Sequence, residues 1–166
     1  MNVISIVEND PVNSITGFST TVYFAGCEHH CKGCFSPQTW EYNQGERYTV
    51  DELLDILKLS KNKNISLIGG DIFYPLNRIE GIELIKKIKY ETNKNIYIWT
   101  GYSKEQVEKW IDISMIDFLI DGKFELNKRD IRLNLRGSSN QRIFFRGIEI
   151  FDEDLEDIIK LIRRDK

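Results

Sequence analysis

The residues best suited to chemistry in this sequence are three closely spaced cysteines, and the chain contains no others. Cys27, Cys31 and Cys34 follow the spacing C-x3-C-x2-C in the segment GCEHHCKGCF, which also holds both histidines of the chain, His29 and His30. Three cysteines cannot all pair within one chain, and a reducing compartment would keep them as thiols. The spacing therefore favours metal binding or redox chemistry.

Three thiolates in one loop are suited to an iron–sulfur cluster. Gly26 and Gly33 lie in the same loop and would let the backbone wrap so that the sulfurs point inward. Three cysteines can bind three irons of a [4Fe-4S] cluster, and the sequence has no fourth cysteine for the remaining iron. That iron would be open to a small chelating ligand.

Other interpretations of the three thiols remain open. A structural zinc site could recruit His29 or His30, although structural zinc normally joins ligands from two separated pairs. A thioredoxin-like dithiol of Cys31 and Cys34 would leave Cys27 without a role. Three inert buried thiols would be unusual in a polar loop flanked by glycines. Outside a metal site, both histidines are expected to face solvent.

Length and composition limit the classes of protein to consider. The chain has 166 residues, of which 41% are hydrophobic, and this suits one domain over residues 1–166. A net charge of -3, with both signs interspersed, does not favour nucleic acid or an anionic membrane as a partner. No apolar run approaches the ~18 residues of a membrane span, and the first residues lack the basic region of a signal peptide. We expect a cytoplasmic protein.

Strand and helix patterns alternate along the chain, which predicts an α/β fold with a mainly parallel sheet. Whether the sheet stays open or curls cannot be decided from periodicity. The predicted strands are Thr20–Ala25, Ile65–Ile68, Asn95–Trp99, Phe118–Ile120 and Gln141–Phe145. Four helices are predicted. The first begins at the capping box of Thr49 and Glu52, and the third begins at a similar pair, Ser103 and Gln106. The second carries an apolar stripe of Ile79, Ile82, Ile85 and Ile88, and the fourth begins near Asp152.

Four unusual segments each follow a predicted strand directly. They are the cysteine loop, Gly69-Gly70-Asp71, Thr100-Gly101-Tyr102 and Asp121-Gly122-Lys123. The carboxyl ends of parallel strands share one edge of the sheet, where ligands bind, so we expect these segments to form one site. Each of them alone could be an ordinary turn, and the polar run GSSNQR at 137–142 could be a plain loop.

These motifs resemble those of the radical S-adenosylmethionine (SAM) enzymes, in which CxxxCxxC follows the first strand and a Gly-Gly-acid segment follows the second. Four stretches are similar, in order and spacing, to a narrower family, the activating proteins of the anaerobic ribonucleoside-triphosphate reductase. They are GCEHHCKGCFSPQTW, SLIGGD, IDFLIDGKFE and RGSSNQR. The similarity runs from about Asp10 through Arg146.

The resemblance implies a single radical SAM domain whose mainly parallel sheet is curled as a short partial (β/α) barrel. Cys27, Cys31 and Cys34 would be the catalytic centre and would bind a [4Fe-4S] cluster whose open iron is chelated by SAM. Phe35 would contact the adenine of SAM. Gly69, Gly70 and Asp71 would receive the methionine ammonium, and the methionine carboxylate would lie near Asp121 and Lys123. The full set expected to bind SAM is Gly33, Cys34, Phe35, Gly69, Gly70, Asp71, Thr100, Asp121 and Lys123.

The resemblance also implies a reaction and two protein partners. Reductive cleavage of SAM would give methionine and a 5'-deoxyadenosyl radical, which would take a hydrogen atom from a backbone glycine of the large reductase subunit. An external one-electron donor such as flavodoxin would reduce the cluster. The alternatives are an activase of another glycyl-radical enzyme, a radical SAM enzyme acting on a small molecule, and a non-catalytic zinc module.

Overall fold

The computed structural model describes residues 1–164, which contain one eight-stranded sheet flanked by helices. The strands are β1 (Asn2–Asp10), β2 (Ser19–Phe24), β3 (Glu46–Arg47), β4 (Asn64–Gly69), β5 (Asn95–Trp99), β6 (Phe118–Asp121), β7 (Arg142–Phe145) and β8 (Ile148–Ile150). The α-helices are α1 (Val50–Leu59), α2 (Arg78–Glu91), α3 (Lys104–Val107) and α4 (Leu155–Arg164). None of the helices within residues 1–164 has the length and apolar character needed to cross a bilayer.

The sheet is mixed, and only its centre is parallel as predicted. Its strand order is β3-β1-β2-β4-β5-β6-β7-β8, in which β2, β4, β5 and β6 pair in parallel and the other pairs are antiparallel. A parallel pairing needs a crossover of a dozen or more residues. β7 and β8 are joined by Arg146 and Gly147 alone, both with positive φ, which permits only a hairpin. The prediction of a mainly parallel sheet was therefore wrong at both margins.

One face of the sheet packs against α1 and α2. The capping box of Thr49 and Glu52 is present, and α1 buries the four apolar residues that follow it at helical spacing. In α2 the predicted stripe was wrong at its first residue, because Ile79 is 83% exposed. The buried side of α2 is instead formed by Gly81, Leu84, Ile85 and Ile88.

The opposite face of the sheet is covered in two parts. Leu155 and Ile162 of α4 are buried in a cluster with Tyr97, Phe118 and other apolar residues of β5 to β8. Near the amino ends of the central strands, the connection between β1 and β2 is held by hydrogen bonds, among them Thr16 Oγ1 to the Tyr97 hydroxyl at 2.9 Å. The carboxyl ends of the same strands carry the residues with predicted chemistry.

Candidate iron–sulfur site

The cysteine loop begins where β2 ends and is closed by backbone hydrogen bonds. The chain turns at Gly26, whose φ of +98° favours glycine. The Gly26 N–H donates to the Thr39 carbonyl at 2.8 Å, and the Cys27 N–H donates to the Trp40 carbonyl at 3.0 Å. Thr39 and Trp40, which end the segment GCEHHCKGCFSPQTW, therefore anchor the start of the loop. Both ends of the loop are held at the edge of the sheet.

Burial favours the protonated thiol forms of the first two cysteines, and backbone N–H groups oppose it in part. Burial raises the pKa of Cys27 to about 11, while the N–H groups of His29 and His30 lower it. Burial also raises the pKa of Cys31, and there the Phe124 N–H acts in the lowering direction. These thiols would have to lose their protons on binding a metal, because the thiolate is the ligand.

The donor set fits an iron–sulfur cluster. All three cysteines are free and partly exposed, and the Ser36 N–H lies 3.4 Å from Cys34 Sγ as a hydrogen-bond donor. Within residues 1–164, no three or more His, Cys, Asp or Glu side chains are gathered as a ligand set for a single metal ion. In a cubane cluster each cysteine binds a different iron, and hydrogen bonds to the sulfurs are a common feature.

The Gly69-Gly70 pair packs directly on the first residues of the cysteine loop. The Gly70 N–H donates to the Phe24 carbonyl and the Asp71 N–H to the Gly26 carbonyl, both at 2.8 Å. A Cβ on Gly70 would lie 2.4 Å from the Gly26 oxygen, and one on Gly69 would lie 2.8 Å from the Phe24 nitrogen. Glycine is required at both positions because two backbones are in contact.

Asp71 joins the ends of β4 and β5 through its carboxylate. The side chain is buried and accepts hydrogen bonds from the Thr100 hydroxyl at 2.8 and 3.0 Å. It also accepts from the Gly101 N–H and the Phe73 N–H, both at 2.9 Å. Thr100 is itself buried, so both residues are engaged with the protein at this edge.

The His29 side chain is buried, and the expectation that it faces solvent was wrong. Its side chain is 6% exposed, and its ring meets the Tyr102 ring edge-on at 4.5 Å. A Cβ on Gly101 would lie 2.1 Å from the His29 ring, so only a glycine there leaves room for it. His30, in contrast, is exposed as predicted and stacks on Trp40 at 4.7 Å.

Asp121 ends β6, and its buried carboxylate forms an ion pair with the partly exposed Arg142 that the sequence did not predict. Its carboxylate accepts hydrogen bonds from the Lys104 N–H at 2.6 Å and from Arg142 Nε at 3.1 Å. The same guanidinium contacts both oxygens of Glu105, at 2.9 and 3.0 Å, and holds the pKa of Glu105 at about 2. Arg142 therefore links β7 to the start of α3 and to the end of β6.

The polar run 137–142 supports the loop that follows β6. The Gln141 side-chain amide donates to the Gly122 carbonyl at 3.0 Å, and the Asn140 amide donates to the Lys123 carbonyl at 2.8 Å. The Gln141 side-chain oxygen in turn accepts from the Gly137 N–H at 2.9 Å. The run is therefore part of this edge of the sheet, and the Lys123 side chain is left exposed.

The four segments meet at one edge of the sheet, as their positions after strands predicted. The Gly122 N–H donates to the Tyr102 carbonyl at 3.1 Å, and the Thr100 N–H donates to the Ile120 carbonyl at 3.0 Å. Phe35 lies at the rim of this edge, 67% exposed, with its ring 5.4 Å from that of Phe124. The exposed Gly33 belongs to the same rim, since a Cβ there would lie 2.9 Å from Leu126.

Comparison with known proteins supplies the family. Residues 16–144 match the family described as a 4Fe-4S single cluster domain. A Vibrio cholerae protein named anaerobic ribonucleoside-triphosphate reductase-activating protein is 36% identical over 143 residues, which cover 80% of this chain and 92% of that protein. Proteins of the same name from Escherichia coli K12 and Enterobacteria phage T4 are each 36% identical, covering 79% and 87% of this chain and 92% and 94% of their own lengths.

The chain belongs to the family of anaerobic ribonucleoside-triphosphate reductase-activating proteins. In this activating-protein chain, the part that matches the cluster-domain family includes the cysteine loop and the three other strand-end segments. It ends within β7, so β8 and α4 lie outside it. A cavity of about 480 Å³ borders Cys27 and is lined by Trp40, Tyr42 and Tyr74 among other residues.

Proposed function

We propose that this chain activates an anaerobic ribonucleoside-triphosphate reductase by generating a glycyl radical on it, through reductive cleavage of SAM at a [4Fe-4S] cluster. The observation that carries the proposal is the closed loop of three free, partly exposed cysteines at the edge where four strand-end segments meet. The names of its relatives supply the target, a reductase of this kind. The proposal includes a single radical SAM domain with the partial-barrel curl of that class, acting in the cytoplasm.

Cys27, Cys31 and Cys34 would bind the cluster, one sulfur to each of three irons. The cluster would supply the electron that cleaves SAM bound at the fourth iron. An external one-electron donor such as flavodoxin would then reduce the cluster again. The chain's own contribution is to fix the three sulfurs and to surround them with N–H donors. Position and exclusion of water are the parts of such chemistry that a protein supplies.

We assign the SAM site to the same edge of the sheet, between the exposed rim at Phe35 and the buried Asp71. Phe35 is exposed beside the cysteines, which suits an apolar contact with the adenine. The methionine ammonium would lie at Gly69-Gly70-Asp71, where Asp71 provides a buried negative charge while its oxygens accept internal hydrogen bonds. Thr100 would act there by orienting that carboxylate.

The SAM carboxylate and the neighbouring contacts are assigned to the remaining predicted residues. Lys123 has an exposed ammonium group that suits a carboxylate. Asp121 is paired with Arg142, so its part would be to hold the Lys123 loop in place. Gly33 and Cys34 would border SAM through their position in the cysteine loop.

The protein substrate requires a route to the cluster. The cysteines are partly exposed, and the cavity beside Cys27, lined by both aromatic and polar side chains, is open to solvent. A peptide segment carrying the target glycine can therefore approach this edge from outside. A glycine in a large partner must reach the reactive centre within contact distance, because hydrogen transfer depends on proximity.

The decisive experiment replaces Cys31 with alanine and compares it with Lys32→Ala, a change at its exposed neighbour. After anaerobic reconstitution, the wild type and Lys32→Ala should carry about four irons per chain and form 5'-deoxyadenosine from SAM. Cys31→Ala should lose both properties while its circular dichroism stays the same, because a partly exposed loop residue contributes little to the core.

The outcomes separate the parts of the proposal. Wild-type protein that takes up zinc and no iron–sulfur cluster would refute it and favour the zinc module. Deoxyadenosine formation by Cys31→Ala at the wild-type rate would refute the ligand assignment. If wild-type protein cleaves SAM but leaves no glycyl-radical signal in electron paramagnetic resonance (EPR) spectra of the reductase, the partner assignment is wrong.

A further inference from the structure

The His29 side chain of the cysteine loop lies next to the Asp71 carboxylate, just after the end of β4. Its Nε2 atom lies 3.2 Å from Asp71 Oδ2. This nitrogen is fully buried, and no group within residues 1–164, Asp71 included, makes an aligned hydrogen bond with it. A buried ring nitrogen without a partner is unfavourable, and the Asp71 carboxylate is the acceptor within reach of it.

The surroundings of His29 are shaped to hold its ring in this position. Gly101 leaves the space that the ring occupies, and Tyr102 packs edge-on against it. The Tyr102 hydroxyl donates to Glu28 at 2.6 Å, so the residue before His29 is fixed by the same side chain. The ring is therefore enclosed on the side of the strand ends by residues of one neighbouring segment.

His29 lies midway between two of the proposed cluster ligands, Cys27 and Cys31. Asp71 in turn is fixed by Thr100 and by the Gly101 N–H. The chain of contacts thus runs from the sheet, through a carboxylate and an imidazole, to the arch of backbone between two sulfurs. A displacement of the His29 ring would move that arch, because only one residue separates it from Cys31.

We propose that His29 is a positioning residue for the iron–sulfur cluster: its Nε2–H donates to Asp71 and fixes the arch between Cys27 and Cys31. This inference rests on the proposed function, since it presupposes that these cysteines bind the cluster. It assigns to the Asp71 side chain a structural task in addition to its charge. Groups that orient metal ligands typically change metal affinity by about 10–100-fold when they are lost.

The test compares two amide side chains of different length at position 29. In His29→Gln the amide nitrogen can occupy the place of Nε2 and donate to Asp71, whereas in His29→Asn it falls short by one methylene. We expect His29→Gln to release iron to a chelator at nearly the wild-type rate and His29→Asn to release it at least tenfold faster. Both variants place an uncharged amide side chain at position 29. The comparison therefore tests only whether the side chain is long enough to reach Asp71.

His30→Asn is the matched control, because its side chain is exposed and stacks on Trp40 instead of reaching Asp71. Asparagine is chosen since His30 has a φ of +44°, which asparagine tolerates. This variant should release iron like the wild type. The EPR spectrum of the reduced cluster should change in His29→Asn and stay the same in His29→Gln and His30→Asn.

The results distinguish this inference from the proposed function. If the wild type assembles no cluster, the proposed function fails and this inference with it. If the wild type assembles one and the two His29 variants release iron equally fast, with equal EPR spectra, the positioning role is refuted while the cluster assignment stands. Thermal unfolding of the metal-free variants checks the fold, and a large loss in His29→Gln alone would also contradict the inference.

Discussion

Replacing Gly70 with alanine should be among the most damaging single changes at this edge of the sheet. A Cβ at this position would lie 2.4 Å from the Gly26 oxygen and 2.9 Å from the Gly26 carbonyl carbon. Both atoms belong to the backbone, so no side-chain rotation can relieve the contact. The end of β4 and the start of the cysteine loop must therefore move apart.

The expected loss of stability can be worked out from the hydrogen bonds that this separation would break. The Gly70–Phe24 and Asp71–Gly26 backbone hydrogen bonds, both 2.8 Å long, cross this contact. A hydrogen bond contributes about 0.5–1.5 kcal/mol and overpacking costs about 1–3 kcal/mol, so the free energy of unfolding should fall by about 2–6 kcal/mol. This is a large part of the stability of a domain of this size, which is about 5–15 kcal/mol.

Gly147→Ala provides a control that separates steric contact from backbone conformation. Gly147 has a φ of +88°, but a Cβ there would meet nothing closer than Ile113 at 3.6 Å. Its replacement should cost about 1–2 kcal/mol, from the left-handed conformation alone. Gly70 has no positive φ, so conformational preference by itself would give the opposite order of the two variants.

Urea unfolding of the metal-free protein, followed by circular dichroism under reducing conditions, measures both changes. We expect the Gly70 variant to lose more stability than the Gly147 variant and also to incorporate less iron. A Gly70→Ala protein as stable as Gly147→Ala would show that the glycine pair is not needed for backbone contact, and the account of this edge would then be wrong.

Two further changes test the contacts around the site. Arg142→Gln should raise the pKa of Glu105 from about 2 towards its ordinary value of 4.5, as followed by carboxyl nuclear magnetic resonance; an unchanged pKa would contradict the ion pair. Because the pKa of Glu105 is lowered by folding, the stability it contributes is complete above pH 4.5 and is lost as the pH falls towards 2, and this loss should be absent from the variant. Thr16→Val should lower the free energy of unfolding by about 1–3 kcal/mol, since it removes the hydroxyl that joins Tyr97 and Asn64, and Thr16→Ser should restore most of it. Equal losses in both Thr16 variants would show that packing, not the hydroxyl, holds the β1–β2 connection.

The central strands could be predicted from the sequence because each is a short apolar run with a turn signal at its end. The prediction Asn95–Trp99 matches β5, and Ile65–Ile68 lies inside β4. At the antiparallel margins, the predicted strand Gln141–Phe145 matches β7, but its direction and the strands β1, β3 and β8 were not predicted. β1 is a partly exposed strand with few buried residues, and β3 has only two residues, so neither shows a strong periodic pattern. Helices α1 and α3 were recognised by their capping boxes, which are local features.

The site was predictable in its location but not in its contacts. A residue that follows a parallel strand can be recognised from the sequence alone. This rule correctly placed Cys27, Asp71 and Asp121 at one edge of the sheet. Which side chain fills which space depends on residues far apart in the chain. His29 is buried because Gly101 leaves room for it, and Asp121 is paired because β7 returns antiparallel beside β6. Neither relation has a signal in the local pattern.

The glycines at this edge are of two physical kinds, and the difference bears on what the motif means. Gly26 and Gly122 have positive φ and serve to turn the chain out of β2 and β6. Gly70 and Gly101 show no positive φ, and there a side chain would collide with the cysteine loop at the Gly26 oxygen and the His29 ring. A Gly-Gly-acid motif could be interpreted as a cradle for a ligand alone. In this chain its first requirement is internal, since the N–H groups of Gly70 and Asp71 hold the start of the cysteine loop to the sheet through backbone hydrogen bonds. If SAM and the cluster bind as proposed, SAM at this motif would lie against the contacts that hold the cysteine loop, and we expect a substitution at the motif to change both cluster stability and SAM binding.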